Sequence, residues 1–194
     1  MARKTKVTVG VIGLGIMGGS FAKNLVAAGW RVIGYDISAA KCREAQGAGV
    51  ELANSAAEVA AAAPIILTSL PKPQALMDTA REIAAAKLKG KVVAEMSTFT
   101  ISDKEKAERV LRKAGHIMID CPVSGTGSQA KNRDLVFYAS GDAKAIARLR
   151  PVLMGFGRHT FNVGQFGNGS RMKYVANLLV AINTSPLRKP WCWA

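Results

Sequence analysis

Three glycines, Gly13-x-Gly15-x-x-Gly18, follow the apolar run VTVGVI and open a helical pattern, GIMGGSFAKNLVAAG. That spacing suits one chemistry, backbone recognition of two bridging phosphates. Gly13 permits a tight turn, Gly15 lets a diphosphate approach the main chain, and Gly18 lets the helix pack close to the strand. Leu14, Ile16 and Met17 bring main-chain amides to the helix mouth, where unpaired N–H groups and the helix dipole favour an anion. Asp36 ends the next apolar run, where a carboxylate would hydrogen-bond a ribose 2′-hydroxyl. The same carboxylate would repel a 2′-phosphate, and Ile37-Ser38 supply no arginine to receive one. A dinucleotide is therefore expected, with NAD favoured over NADP.

Two further stretches carry reactive groups. DCPVSGTG, residues 120–127, presents the Ser124 hydroxyl and flexible main-chain amides, a seat for a carboxylate; a plain Pro/Gly turn would read the same way. Downstream, Gly164-x-x-Gly167-x-Gly169 precedes a helical stretch bearing Lys173 and Asn177, which share one face at i,i+4. Met172, Val175, Leu178, Leu179, Val180 and Ile182 surround them. Desolvation there would lower the lysine pKa and allow proton exchange near neutrality. The alternative is a solvated lysine beside a structural asparagine. No His/Cys group has metal-ligand spacing, so no metal is expected.

The elements that must position these groups alternate strand and helix. Apolar runs at 7–12, 31–35, 65–70, 91–95, 116–120, 135–140 and 158–162 read as strands. Helical patterns lie at 17–28, 39–48, 56–62, 74–86, 103–114 and 143–150. Ser55-x-x-Glu58 and Ser102-x-x-Glu105 read as capping boxes, and Pro71 and Pro73 mark a loop past a strand end. Nearly continuous apolar early strands suit a parallel sheet covered on both faces. The pattern predicts a doubly wound, mostly parallel α/β domain over residues 1–163.

Composition agrees. Apolar content of 49% and mean hydropathy of +0.13 are globular values. A net charge of +14 suits small anionic ligands; with aromatics at only 6% and no basic run interleaved with them, nucleic acid is not expected as a partner. Three dispersed cysteines, Cys42, Cys121 and Cys192, fit a reducing, cytoplasmic setting. The basic, apolar start resembles a secretory signal, but the glycines that interrupt it have the better use just described. No membrane-spanning run is apparent.

Taken together, GLGIMGGSFAKNLVAAG, the Ser97-Thr98 pair, DCPVSG and GQFGNGSRMKYVAN resemble the β-hydroxyacid dehydrogenases over residues 5–183, with 6-phosphogluconate dehydrogenase as a more distant relative. The resemblance implies a Rossmann-type sheet and an NAD-dependent hydride transfer on a small anionic hydroxy acid, or the reverse reduction of a semialdehyde. It implies that Leu70, Pro71 and Thr98 border the cofactor, that Ser124, Gly125, Thr126 and Asn177 bind substrate, and that Lys173 is the general acid/base. Thr126, Ser128 and Arg133 stand where the family commonly has glycine. A binding module that keeps the fold without the chemistry is the reading from another class.

The resemblance further implies that the lysine helix leads into an all-helical second domain that makes a homo-oligomer. Here residues 164–183 read as the start of that interdomain helix, and 184–194, TSPLRKPWCWA, as an atypical tail with Pro186 and Pro190. A natural cap of Trp191 and Trp193 is one reading. The other is a reading-frame slip, since a two-nucleotide shift of one permitted coding reads Val-Ala-Ser-Ala-Lys-Ala-Leu-Val-Leu-Gly. On that view the helical domain is missing, cofactor binding survives and turnover is poor.

Overall fold

The computed structural model describes residues 7–184. The tail expectation for 184–194 lies outside the described residues, save for the backbone of Thr184, which still belongs to a helix.

Six strands form one parallel sheet: β1 (Val9–Ile12), β2 (Val32–Tyr35), β3 (Glu51–Leu52), β4 (Ile65–Thr68), β5 (Val92–Glu95) and β6 (Ile117–Asp120), in the order β3-β2-β1-β4-β5-β6. The crossovers are α1 (Ile16–Ala27), α2 (Ala39–Gly47), α3 (Ala56–Ala62), α4 (Pro73–Ala85) and α5 (Ile101–Lys113). The order reverses at β1, so a crevice opens beyond the C-terminal ends of β1 and β4. Period-two alternation places Val9 and Val11 in one core with Phe21, Leu25 and Phe156, and Ile12 in the other with Val59, Leu76 and Leu111. The four residues of β1 are buried, as are those of β4 and β5, which accounts for their unbroken apolar character.

A second sheet follows, built from β7 (Val123–Ser124), β8 (Val136–Ala139) and β9 (His159–Asn162). The β7–β8 pair is antiparallel and the β8–β9 pair is parallel. It carries α6 (Gly127–Lys131) and α7 (Ala143–Leu153), and ends in α8 (Asn168–Thr184). An antiparallel bridge between Asp120 and Ser140 joins the two sheets.

Several local expectations change. Ser102 does not cap α5; Thr100 does, accepting the Asp103 N–H at 3.2 Å, so the helix starts two residues earlier. Ser55 caps α3, but Glu58 returns to the Asn54 N–H at 2.8 Å instead of completing a box with Ser55. The complete capping box is Thr126–Gln129, at the start of α6. α7 continues through Pro151 to Leu153.

Candidate functional site

The glycine turn lies between β1 and α1, at the reversal of strand order. At Gly13, φ is 87°, and a Cβ there would stand 2.1 Å from the Ser69 carbonyl oxygen; one on Gly18 would stand 1.8 Å from the Gly13 oxygen. At Gly15 a Cβ would meet no protein atom within 4 Å. Gly13 and Gly18 are thus demanded by the protein's own packing, whereas Gly15 leaves open space above the main chain. Gly15 caps α1 without a side-chain acceptor, and the first turn carries no acidic residue, so no side chain of α1 itself offsets the positive end of the helix. Leu14 is buried, Ile16 is 75% exposed and Met17 is half-buried. This cradle fits a diphosphate.

Asp36 does more than end β2. Its Oδ2 accepts the Leu14 N–H at 2.7 Å and its Oδ1 accepts the Ser38 N–H at 2.8 Å, so the carboxylate also fastens the glycine turn. Beside the turn a cavity of about 520 Å³ is bordered by Gly15, Ile16, Lys23, Lys41, Lys131 and Glu44. Glu44 pairs with Lys23 at 3.0 Å and Lys41 at 3.1 Å, and these lysines hold its carboxyl below the usual range. Three ammonium groups against one carboxylate suit an anionic ligand.

A second cavity, of about 280 Å³, brings together Met17, Leu70, Ser97, Thr98, Gly125 and Lys173. Five separate segments meet here: the α1 mouth, the β4 end, the β5 end, the β7 turn and α8. Lys173 is half-buried, and burial alone pushes its pKa down. It is the sole ionisable group among the lining residues. Other expected residues stand apart from this wall. Ser124 is half-buried in β7, adjacent to Gly125. Pro71 is exposed, and so is Asn177, one turn beyond Lys173. Thr126 is exposed too, and its hydroxyl serves the α6 cap, accepting the Gln129 N–H at 3.3 Å.

Sequence reasoning missed a buried polar cluster beneath this cavity. Lys104 on α5 lies 2.7 Å from Glu95 and 2.8 Å from Asp120, all three fully buried. Burial alone would lower the Lys104 pKa, but the two carboxylates outweigh it and raise it; burial pushes the Glu95 carboxyl up against the pull of Lys104. Cys121, behind them, is buried with its thiol pKa pushed up, so it is inert. One signal was present: Lys104 falls on the buried stripe Lys104–Ala107–Leu111, where an unpaired charge is untenable.

Fold and turn together define a Rossmann-type dinucleotide-binding domain. Residues 8–164 match the family model for the NAD binding domain of 6-phosphogluconate dehydrogenase. The chain is 33% identical over 182 residues to the mitochondrial 3-hydroxyisobutyrate dehydrogenase of Rattus norvegicus, covering 92% of this chain and 54% of that protein. It is 29% identical to the chloroplastic glyoxylate/succinic semialdehyde reductase 2 of Arabidopsis thaliana, covering 90% and 49%. A structure of Mycobacterium tuberculosis 3-hydroxyisobutyrate dehydrogenase with L-serine superposes with a TM-score of 0.88 at 29% identity, covering 91% of this chain and 61% of that one. The chain belongs to the β-hydroxyacid dehydrogenase family. It spans about half the length of the curated relatives it matches.

Proposed function

We propose that this chain is the dinucleotide-binding part of an NAD-dependent oxidoreductase acting on a small hydroxy acid, with Lys173 as its general acid/base. Residues 1–163 form the cofactor domain and 164–183 begin the interdomain helix. The observation that carries the reading is the cavity in which Lys173 faces Thr98, Leu70 and the α1 mouth. Gly13, Leu14, Gly15, Ile16, Met17 and Gly18 hold the diphosphate. Asp36 receives the ribose hydroxyls and disfavours a 2′-phosphate, which supports NAD over NADP. Leu70, Pro71 and Thr98 border the nicotinamide, which supplies hydride acceptance or donation when bound.

The protein's own share is proton transfer and orientation. Neutral Lys173 takes the alcohol proton as the carbon is oxidised, and its ammonium form returns that proton in the reverse reduction. Its lowered pKa keeps more of the neutral amine available than an exposed lysine would have. Ser124 and Gly125 seat the substrate carboxylate; Asn177 and Thr126 complete the pocket, Thr126 through its main chain because its hydroxyl serves the cap. The semialdehyde direction uses the same groups in reverse order.

In a chain extended to the length of its relatives, Lys173→Ala is expected to lower kcat by about 10²–10⁴-fold and to leave NADH affinity within about threefold of wild type. Substantial remaining turnover on a panel of hydroxy acids and semialdehydes would remove the lysine from this role.

A further inference from the structure

The Glu95–Lys104–Asp120 cluster touches neither cavity wall directly, yet each carboxylate is bonded to one of them. On one side, Glu95 Oε1 accepts the Ser97 N–H at 2.9 Å, and Ser97 Oγ accepts the Leu70 N–H at 2.8 Å. Glu95 thereby sets the turn that carries Ser97, Thr98 and Leu70. On the other side, Asp120 Oδ2 accepts the Ser170 N–H at 2.8 Å, and Oδ1 accepts the Ser170 hydroxyl at 2.8 Å. Ser140 Oγ lies 3.1 Å from Asp120 Oδ2 and accepts the Gly169 N–H at 3.0 Å. The first turn of α8 is therefore held by the Asp120 carboxylate at the end of β6 and the Ser140 hydroxyl just past β8, with Asp120 at the positive end of the helix. Gly169 lets that turn sit hard against the sheets: a Cβ there would stand 2.3 Å from the Tyr138 oxygen and 2.9 Å from the Asp120 oxygen.

Lys173 lies three residues past Ser170, on the next turn of the same helix. Two carboxylates, one setting the Thr98 wall and one setting the Lys173 wall, share a single ammonium group. The Tyr174 hydroxyl, which donates to the Phe99 carbonyl, closes the same gap one residue beyond Lys173.

We propose that Lys104 is a positioning residue: by bridging Glu95 and Asp120 it fixes the lysine helix against the Thr98 turn and so sets the place of Lys173 in the cavity. This rests on the reading of Lys173 as the proton-transfer group, but it concerns only where that group is held. A merely structural buried pair would contribute to stability without governing Lys173.

The experiment uses the 194-residue chain, reductively methylated with ¹³C-formaldehyde, with Lys173→Arg identifying the Lys173 resonance. Its titration is followed by NMR in wild type, in Lys104→Met/Glu95→Gln and in Ser170→Ala. The double variant removes one positive and one negative charge together, so the cluster's net charge is unchanged, and Ser170→Ala alters no charge. The expected result is that the Lys173 midpoint lies below the ordinary lysine value in wild type and moves up toward it in both variants, as α8 loosens and the amine meets water. NADH affinity in Ser170→Ala is expected to stay within about threefold of wild type, because the diphosphate seat is untouched. Folded variants that melt earlier but keep the wild-type Lys173 midpoint would overturn the proposal and leave a structural pair. If the double variant does not fold, the Ser170→Ala midpoint alone decides. Failure of the proton-transfer reading would show differently, as turnover surviving Lys173→Ala in the extended chain.

Discussion

Asp36 holds two positions at once. It is the residue proposed to receive a ribose, and both carboxylate oxygens already accept main-chain N–H groups from Leu14 and Ser38. An asparagine can match only one of those donors, because its amide nitrogen would confront the other. Asp36→Asn is therefore expected to cost about 1–3 kcal/mol of stability and to reduce the preference for NADH over NADPH by about tenfold, as a repelling charge is lost. Competitive titration of the two nucleotides checks this; an unchanged ratio with a lowered melting point would leave Asp36 as a fastening of the turn alone. The motif marks Asp36 in the sequence as the residue proposed for the ribose, whereas the bond to Leu14 is not legible there, since it depends on β1 and β2 lying side by side. Lys104 shows the same limit. Its partners come from the ends of two strands, and nothing along the chain spaces Glu95, Lys104 and Asp120 in a recognisable order.

At the scale of elements, the long strands and helices were legible because each carries its own hydrophobic period. β3 and β7 were not: each has two residues, and pairing with a neighbour defines them, not composition. α6 begins at the last residue of DCPVSGTG, a stretch that reads as a loop until the Thr126–Gln129 box is recognised. Its far end explains why arginine at 133 is unusual. The Asp134 N–H bonds the Gln129 carbonyl at 2.9 Å and the Arg133 N–H bonds that of Ala130 at 3.3 Å, which places Arg133 at the left-handed position of a Schellman cap, with φ of 58°. Arg133→Gly is expected to raise stability by about 1 kcal/mol, read as a shifted urea midpoint with unchanged slope; a loss of stability would mean that the arginine side chain makes a compensating contact. α8 presents the opposite case. It forms as its pattern predicts, yet Leu178, Leu179, Val180 and Ile182 are all exposed along it.

On the scale of the whole molecule, the two ends of the large sheet behave differently. The C-terminal end carries the glycine turn, the lysine cavity and the buried Glu95–Lys104–Asp120 cluster. At the other end His116 is buried at the start of β6; its Nδ1 accepts the Lys91 N–H at 3.4 Å, and its Nε2 has no partner. Burial, with Lys91 adding to it, lowers the imidazole pKa. The unfolded chain therefore binds this proton at a higher pH than the folded one does. Stability from the neutral ring is complete above the ordinary histidine value of about 6.5 and declines as pH falls through it, by at most about 1.4 kcal/mol per pH unit. Comparing wild type with His116→Gln by urea unfolding at pH 7.5 and 5.5 isolates the effect: the wild type is expected to lose more on acidification, and equal losses would contradict it.

The proposed chemistry depends on dinucleotide binding at the α1 mouth, and Gly15 is the residue at which that binding can be separated from folding. A methyl group there meets no protein atom within 4 Å but enters the space assigned to the diphosphate. Calorimetric titration of NADH into the wild-type and Gly15→Ala chains, with melting temperatures measured in parallel, therefore probes that seat apart from the fold. The expected result is saturable binding by wild type, affinity reduced by about tenfold or more in the variant, and melting temperatures that agree closely. Equal affinity in the two chains, or no binding by the folded wild type, would contradict it.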